Sequence, residues 1–218
     1  MGANDNPPET RAAFPQPPGE LLIERRSVRR YLPLPVAPQV VDRLLAAATA
    51  APSAHNRQPW RFVVIEEEST KQSLAQAMGA RLRADRLRDG DPADAIEADV
   101  ARSYARLTGA PVIVLICMTM TDMDRYTDDR RNAAERAMAV QGTAMAAQNL
   151  LLAAHTEGLG ACWMCAPLFC PDTVAAALTL PPDWQPQAII TLGLPADPGK
   201  PFRRRPLSEV TRYQDRQP

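Results

Sequence analysis

Hydrophobic residues recur along the chain with two different spacings, and these spacings predict its helices and strands. Apolar positions three or four residues apart predict amphipathic helices over residues 38–51, 70–86 and 93–107. Short β-branched, aromatic or continuously apolar runs predict strands over residues 60–66, 111–118, 161–164 and 188–193. Residues 132–156 are rich in Ala and Met and apolar nearly all round, which predicts a long, buried central helix.

Shorter segments complete this prediction. Asp172 is expected to cap a helix that runs to Leu180, and the chain from Pro195 onward is expected to be extended. Residues 1–20 are rich in Pro, Asn and charged residues and lack any period, so we expect a flexible arm. One domain, which opens with a short apolar helix, is expected over residues 21–218.

Helices and strands do not alternate in the regular way that builds a parallel sheet. The sequence therefore predicts an α+β fold with helices around a sheet, not a doubly wound dinucleotide-binding fold. No Gly-x-Gly-x-x-Gly follows a predicted strand, and the sequence contains no Walker-type phosphate loop. Neither a Rossmann nucleotide site nor a nucleoside triphosphatase is supported.

Charge balance and the length of apolar runs narrow the class of partner. In the sequence, 25 basic residues balance 25 acidic ones, unlike the basic bias of nucleic-acid or membrane-surface proteins. The longest apolar run, residues 110–118, is too short for a bilayer span of about 20 residues. The N-terminal residues show no basic segment followed by an apolar run, so no secretory signal is indicated. We expect a cytoplasmic protein without nucleic-acid or membrane partners.

Cysteine and histidine positions argue against a metal site. Cys162 and Cys165 form one Cys-x-x-Cys pair, but the two histidines of the sequence are not placed to complete a zinc site. The cysteines are expected to be buried apolar fillers. An acidic loop lacks the glycine and terminal glutamate of a calcium site, so it is expected to be solvated surface. Its acidic residues are Asp122, Asp124, Asp128 and Asp129.

Three segments carry residue types that bind phosphate or a flat heterocycle. Residues 25–30 include four arginines and one serine, and Arg offers forked donors matched to phosphate oxygens. Asn56 lies in a polar loop directly before a predicted strand, and its amide offers both a donor and an acceptor to a ring edge. The glycines of residues 158–160 allow close approach of backbone to a ligand, and the arginines of residues 203–205 are suited to closing over a phosphate.

Each segment also has a simpler interpretation. By residue type alone, the first is more typical of a solvated basic face, and the second is also typical of a plain helix-to-strand connection held by two prolines. The third is equally typical of a helix cap followed by a flexible tail. Taken separately, none of the three identifies a function.

In this order, the three segments resemble the nitroreductase family of flavoproteins, and the resemblance covers nearly all of the chain from Leu22 onward. It implies a nitroreductase-like fold with a central mixed sheet, bound FMN, and a domain-intertwined homodimer with the flavin pocket at the subunit interface. The FMN-binding positions that the family's motifs imply are Arg25, Arg26, Ser27, Arg29, Pro52, Ser53, Asn56, Gln58, Trp163, Met164, Arg203 and Arg205.

The resemblance assigns these positions to two ends of the cofactor. Arg25, Arg29 and Arg205 are expected to hold the phosphate, while Asn56 and the backbone near Trp163 are expected to fix the flavin ring. No catalytic residue is identified. The candidate proton donors, with bulk water as the alternative, are Tyr104, Tyr126 and His55.

Within the family, the chain is similar to the C-terminal domain of the bifunctional enzyme of F-420 biosynthesis, a reductase of dehydro-F-420-0. The similar stretches are residues 89–97, 110–112 and 180–186. Two departures stand out: the chain has no room for the γ-glutamyl ligase half, and residues 162–166 replace a Gly-containing pattern beside the flavin. The first departure suggests a stand-alone reductase.

The expected substrate is therefore a small conjugated molecule, a deazaflavin precursor. Two alternatives stay open. One is a general NAD(P)H-dependent nitro or quinone reductase that uses the same FMN, and the other is a flavin-binding module without turnover.

Overall fold

The computed structural model describes residues 18–215 of the chain, so the predicted arm lies largely outside the described residues. In chain order the elements are α1 (Pro18–Glu24), α2 (Pro38–Thr49), β1 (Trp60–Ile65), α3 (Glu68–Arg88), α4 (Ala93–Thr108), β2 (Val112–Met118), α5 (Asp129–Thr156), β3 (Gly160–Met164), α6 (Pro171–Ala177), β4 (Gln185–Gly193) and α7 (Leu207–Val210). Short 3-10 turns occur at Ala54–Asn56 and Ala166–Phe169.

The strands form one four-stranded sheet in the order β1-β2-β4-β3, and every pair of neighbouring strands is antiparallel. The α+β fold class is confirmed. The sheet was expected to be mixed, but the parallel contact found among the described residues is an isolated bridge between Ser27 and Ala161. Of residues 25–30, only Ser27 pairs with β3, so these residues do not form a fifth strand.

Apolar clusters fill the space on both faces of the sheet. On one face, Val114 and Ile190 pack with residues of α2 and α5. On the other face, Leu115 and Ile189 pack with residues of α3 and α6. Because helices cover both faces, all seven residues of β2 are buried, which explains the continuous apolar run in the sequence.

Helix α5 is the longest element described, with 28 residues. Asp128 caps its N-terminus by accepting a hydrogen bond from the backbone N–H of Arg131 at 2.9 Å. One face of α5 is buried against the sheet and α2, as expected for a central helix. The opposite face is exposed in the single chain, and Val140 and Met145 on it are each 40% exposed.

Two shorter predictions differ from the structure. Cys170, and not Asp172, occupies the N-cap position of helix α6, and its side chain makes no capping hydrogen bond; Asp172 lies in the first turn. The helix ends at Ala177, because Thr179 adopts a left-handed conformation (φ 50°) and two prolines follow Leu180. The tail, expected to be extended, contains the short helix α7. Among residues 18–215, no helix combines the length and apolarity that a bilayer crossing requires.

Candidate functional site

Residues 25–30, the arginine segment, lie along the edge strand β3. The backbone N–H of Val28 donates to the carbonyl of Ala161 at 3.0 Å. The Tyr31 hydroxyl donates to the Val28 carbonyl at 2.6 Å and lies 2.7 Å from the Thr191 hydroxyl on β4. Burial raises the pKa of Tyr31, so this hydroxyl stays protonated and keeps donating. The arginine segment is therefore fixed to the sheet.

The arginines of this segment have different partners. Arg30 forms an ion pair with Asp197 at 2.7 Å, and Arg26 donates to the carbonyl of Ile23 at 2.6 Å. Within residues 18–215, neither Arg25 nor Arg29 forms an ion pair with a carboxylate.

The pKa of Arg25 is lowered, first by burial and then by the nearby charges of Arg204 and Arg26. Like charges that crowd together without a carboxylate make a site for an anion with several negative oxygens. The cluster fits the phosphate of FMN, and its members Arg25, Arg26 and Arg204 would hold that group.

A cleft of about 340 Å³ opens beside Arg25, between the end of α5 and the chain that follows β4. Its lining includes Arg26, His155 and the backbone turn over residues 158–161. His155 is one of the two histidines whose spacing does not suit a zinc site. A single histidine on a helix carries no spacing signal, so its place in this cleft could not be predicted.

The glycines at the end of α5 serve the protein's own packing. Gly158 has a left-handed backbone (φ 73°), and the N–H of Leu159 donates to the carbonyl of Ala154 at 2.8 Å, as in a Schellman motif. A Cβ on Gly160 would lie 2.7 Å from a methyl carbon of Val28. Helix capping and contact with the arginine segment therefore account for both glycines.

Trp163 and Met164 stand at the end of β3, on opposite faces of the sheet. Trp163 packs against the α2–α5 side and Met164 against the α3–α6 side. The Trp163 indole N–H donates to the thiol sulfur of Cys165 at 2.7 Å. Both side chains are half-buried, so each keeps a surface that a ligand at the end of the strand could contact.

The cysteines are all free thiols. Cys117, Cys162 and Cys170 are buried, as predicted, and burial raises the pKa of each thiol, that of Cys117 to about 12. Cys165 is exposed, so the prediction of a buried filler is wrong there, because the chain leaves the sheet after Met164. No group of histidine, cysteine and acidic side chains suited to a metal ion occurs within the described range, 18–215.

Residues 52–59, the Asn56 loop, have a strained backbone. His55, Asn56 and Gln58 all have positive φ angles, of 49°, 54° and 51°. Such angles are uncommon outside glycine, and clusters of them occur mainly where the surrounding structure imposes a conformation. The Ser53 hydroxyl accepts the backbone N–H of Gln58 at 2.9 Å and closes the loop. Asn56 and Gln58 are exposed.

Two ion pairs tie this part of the chain to the acidic loop. Arg57 pairs with Asp124 at 2.6 Å, and Arg61 lies 3.6 Å from Asp122. The acidic loop was expected to be solvated surface. Asp122 and Asp124 do lie at the surface, with side chains 58% and 40% exposed, and they also pair with arginines, because the loop follows β2, whose end is paired with the start of β1.

The arginine segment and the Asn56 loop lie at opposite corners of the sheet. The loop enters β1 at Trp60, which pairs with Met118, and Met118 in turn pairs with Gln185 at the start of β4. The arginine segment contacts β3 near Gly160, which pairs with Gly193 at the end of β4. Normal strand dimensions place the two motifs roughly 25 Å apart along the strands and about 14 Å apart across them.

The tail is joined to the arginine segment through an aromatic ring that the sequence did not single out. The guanidinium groups of Arg26 and Arg204 lie over the ring of Phe202, at 4.3 and 3.9 Å from its centroid. Arg203 and Arg205 are exposed, and Arg205 lies 3.7 Å from Glu209 on α7.

The three candidate proton donors lie apart from each other. Tyr104 packs against the α3–α6 core cluster. The ring of Tyr126 is covered by the guanidinium of Arg131 at 4.5 Å, and His55 is exposed in the Asn56 loop. Of the three, His55 belongs to a motif expected to face the flavin.

Comparison with known proteins identifies the class. The pattern of the nitroreductase family matches residues 22–194, so the chain belongs to the nitroreductase family. A relative from Thermus thermophilus, named NADH dehydrogenase, is 30% identical over 88% of this chain and 93% of its own length. A 5,6-dimethylbenzimidazole synthase from Rhodospirillum rubrum is 31% identical over 89% of this chain and 87% of its own.

Solved structures agree with this assignment. A Desulfovibrio desulfuricans protein that was crystallised with FMN superposes with a TM-score of 0.71, at 28% identity, over 93% of this chain and 99% of its own. A BluB-like flavoprotein from Clostridium difficile has a TM-score of 0.75 at 24% identity, over 89% of this chain and 97% of its own, which shows a shared fold. The chain is an FMN-dependent oxidoreductase of the nitroreductase family.

Proposed function

We propose that this protein is a reductase that holds FMN by its phosphate at the arginine segment. The observation that carries the proposal is the crowding of Arg25, Arg26 and Arg204, for which the described side chains provide no neutralising carboxylate. When bound, FMN supplies the hydride chemistry that saturates an electron-poor double bond. Arg25 and Arg29 would fix the phosphate, and Asn56 would orient the ring edge by its amide.

The proposed substrate is dehydro-F-420-0, whose carbon–carbon double bond would be reduced to give F-420-0. Support comes from sequence similarity over residues 89–97, 110–112 and 180–186. The last stretch is attached to the chain that follows β2, since Asp183 accepts hydrogen bonds from the hydroxyls of Thr119 and Thr121 at 2.9 and 3.2 Å. A second candidate is a general NAD(P)H-dependent nitro or quinone reductase, which the name of the Thermus thermophilus relative favours.

An anaerobic reoxidation experiment separates the two candidates. FMN-loaded protein is photoreduced, mixed with dehydro-F-420-0, and followed by flavin absorbance and by mass analysis of the product. Fast reoxidation with a gain of two hydrogens in the product supports the biosynthetic role. Photoreduced free FMN at the same concentration is the control for uncatalysed transfer.

Failure to react with dehydro-F-420-0, combined with fast reoxidation by a quinone or a nitroaromatic, would replace the biosynthetic role by the general reductase. Rapid bleaching of the flavin by NADH or NADPH would strengthen that outcome. Tight FMN binding without reoxidation by any acceptor would indicate a flavin-binding module. The products are also analysed for 5,6-dimethylbenzimidazole, because some relatives are named for its synthesis.

We further infer that the working unit is a homodimer. The Asn56 loop and the arginine segment are farther apart in one chain than the length of an FMN molecule. Large apolar side chains are also exposed on several elements of the single chain, where a second copy would cover them. On α1, on α5, in the turn after β3 and on α7 they are Leu22, Ile23, Val140, Met145, Leu168, Phe169, Leu207 and Val210.

Complementation between two variants tests this inference. One variant carries Arg25→Ala and Arg29→Ala, and the other carries Asn56→Ala and Gln58→Ala. Each is expected to lose FMN as a homodimer. If each site takes its phosphate end from one copy and its ring end from the other, a mixed dimer has one intact site and binds one FMN. If both ends come from one copy, the mixed dimer has no intact site, and finding it empty would refute the shared site.

A further inference from the structure

The chain that follows β4 runs back along the arginine segment. We call residues 194–202 the strap. The N–H of Leu32 donates to the carbonyl of Leu194 at 2.8 Å, and the N–H of Ala196 donates to the carbonyl of Arg30 at 3.0 Å. Backbone bonds therefore hold the first residues of the strap in register with the end of the arginine segment.

Asp197 extends this attachment. One oxygen of its carboxylate accepts the side-chain N–H of Arg30 at 2.7 Å, and the other accepts the backbone N–H of Gly199 at 2.8 Å. The Gly199 N–H and the Arg30 guanidinium together lower the pKa of Asp197, so it is charged at neutral pH. Arg30 is thereby neutralised, whereas Arg25 and Arg29 pair with no carboxylate in the part of the chain that the structure describes.

Close contact continues beyond this carboxylate. Gly199 has a left-handed backbone (φ 77°), and a Cβ there would lie 3.0 Å from the Cβ of Arg26 and 3.2 Å from the carbonyl oxygen of Ser27. Three residues later, the ring of Phe202 lies against the guanidinium groups of Arg26 and Arg204. The strap thus ends in an aromatic contact and not in a salt bridge.

An aromatic face is the suitable partner at this position. A carboxylate would compete with a bound phosphate for the same arginines, whereas a ring attracts a guanidinium by its face and occupies none of its edge N–H donors. The ring also restricts two long side chains that would otherwise lose rotamer freedom when a ligand binds.

We propose that Phe202 is a positioning residue for the phosphate end of the site, which holds Arg26 and Arg204 in place before the ligand binds. This inference rests on the proposed binding of FMN through its phosphate. Phe202 does not touch the reacting atoms; it acts through the two arginines. Replacing Phe202 is therefore expected to weaken the binding of ligands that carry the phosphate, and not the binding of ligands that lack it.

The test compares FMN with riboflavin, which has the same ring but no phosphate. Both affinities are measured by flavin fluorescence on the full chain, for the wild type, for Phe202→Leu and for Phe202→Tyr. Leucine keeps an apolar side chain but removes the aromatic face, and tyrosine keeps the face. We expect Phe202→Leu to weaken FMN binding roughly 5- to 30-fold and riboflavin binding less than about 2-fold. Phe202→Tyr should restore the FMN affinity.

The remaining outcomes are distinct. Unchanged FMN affinity in Phe202→Leu, or an equal loss for both flavins, would overturn the positioning role. A wild-type protein that binds riboflavin as tightly as FMN would overturn the phosphate site itself, and the inference with it. The melting temperature of each ligand-free variant is measured alongside, and a large drop in Phe202→Leu that tyrosine also fails to prevent would point to a structural role instead.

Discussion

The arginine segment and the Asn56 loop are both proposed to bind FMN, but the chain holds them by different means. The arginine segment is fixed from three sides: by β3 through Val28, by β4 through Tyr31, and by the strap. The Asn56 loop is fixed by its own Ser53 hydroxyl, by the prolines at its ends and by one ion pair to Asp124. Its backbone adopts uncommon angles, whereas within the arginine segment no residue has a positive φ.

In the proposed site, this difference indicates which part of FMN each motif binds. A phosphate is recognised by charge and by several donors, so its site gains from arginines that are already in place. A ring edge is recognised by a few hydrogen bonds whose direction matters. A strained turn can hold the side chains that make them in the required orientation. In the proposed homodimer, the arginine segment is complete within the single chain, and the Asn56 loop joins a site to which the second copy contributes its own arginine segment.

The largest effect is expected from breaking the phosphate side. Replacing Arg25 and Arg29 together by alanine should weaken FMN binding by at least about 100-fold, because each guanidinium contributes charge-assisted hydrogen bonds of about 1.5–3 kcal/mol. Fluorescence titration with FMN measures the loss. Arg102→Ala, on the exposed face of α4, serves as the matched control and should bind FMN normally. A double variant that purifies with a full complement of yellow cofactor would refute the assignment of these arginines.

A smaller effect, on the stability of the protein, is expected from disturbing the packing beneath the arginine segment. In Gly160→Ala the new Cβ would lie 2.7 Å from a methyl carbon and 2.8 Å from the Cβ of Val28, so the arginine segment must move. Overpacking of this kind costs about 1–3 kcal/mol. Thermal unfolding of the ligand-free protein should show a melting temperature lower by about 2–10 °C.

Another glycine-to-alanine substitution, in α5 beneath the Asn56 loop, is the control. In Gly142→Ala the nearest atom to the new Cβ is the Cβ of Ser53 at 3.3 Å, which requires only a small shift. Alanine is also favoured over glycine inside a helix by about 1 kcal/mol, which offsets the contact. The melting temperature of Gly142→Ala should stay within about 3 °C of the wild type. If both variants lose equal stability, the arginine segment is not the more tightly packed of the two motifs.

The spacing of residues in the sequence predicted most helices and strands, but it did not predict which distant residues contact each other. The apolar run of β2 and the glycine that ends α5 follow from local rules, since burial on both faces and helix termination depend on residues close in the chain. The contact of Phe202 with Arg26 joins residues 176 positions apart, and no spacing rule encodes it. The same holds for His155 in the cleft beside Arg25. At the start of α6, Pro171 set the first turn and left Asp172 inside the helix, where a cap had been expected.

The smallest effect is expected from the ion pair that restrains the Asn56 loop. Arg57 and Asp124 are each about 40% exposed as side chains, so the pair contributes about 1 kcal/mol or less to folding. A double-mutant cycle with Arg57→Met and Asp124→Asn measures this coupling by denaturant unfolding, and the methionine keeps the apolar stem of the arginine in place. The pair of Arg61 with Asp122, at 3.6 Å, should give a still smaller coupling. If the conformation of the Asn56 loop depends on the Arg57–Asp124 pair, Asp124→Asn lowers the turnover number of the reductase, although the free energy of unfolding falls by only about 1 kcal/mol or less. Coupling well above 2 kcal/mol without any change in turnover would show that Arg57 supports the fold and not the direction of Asn56.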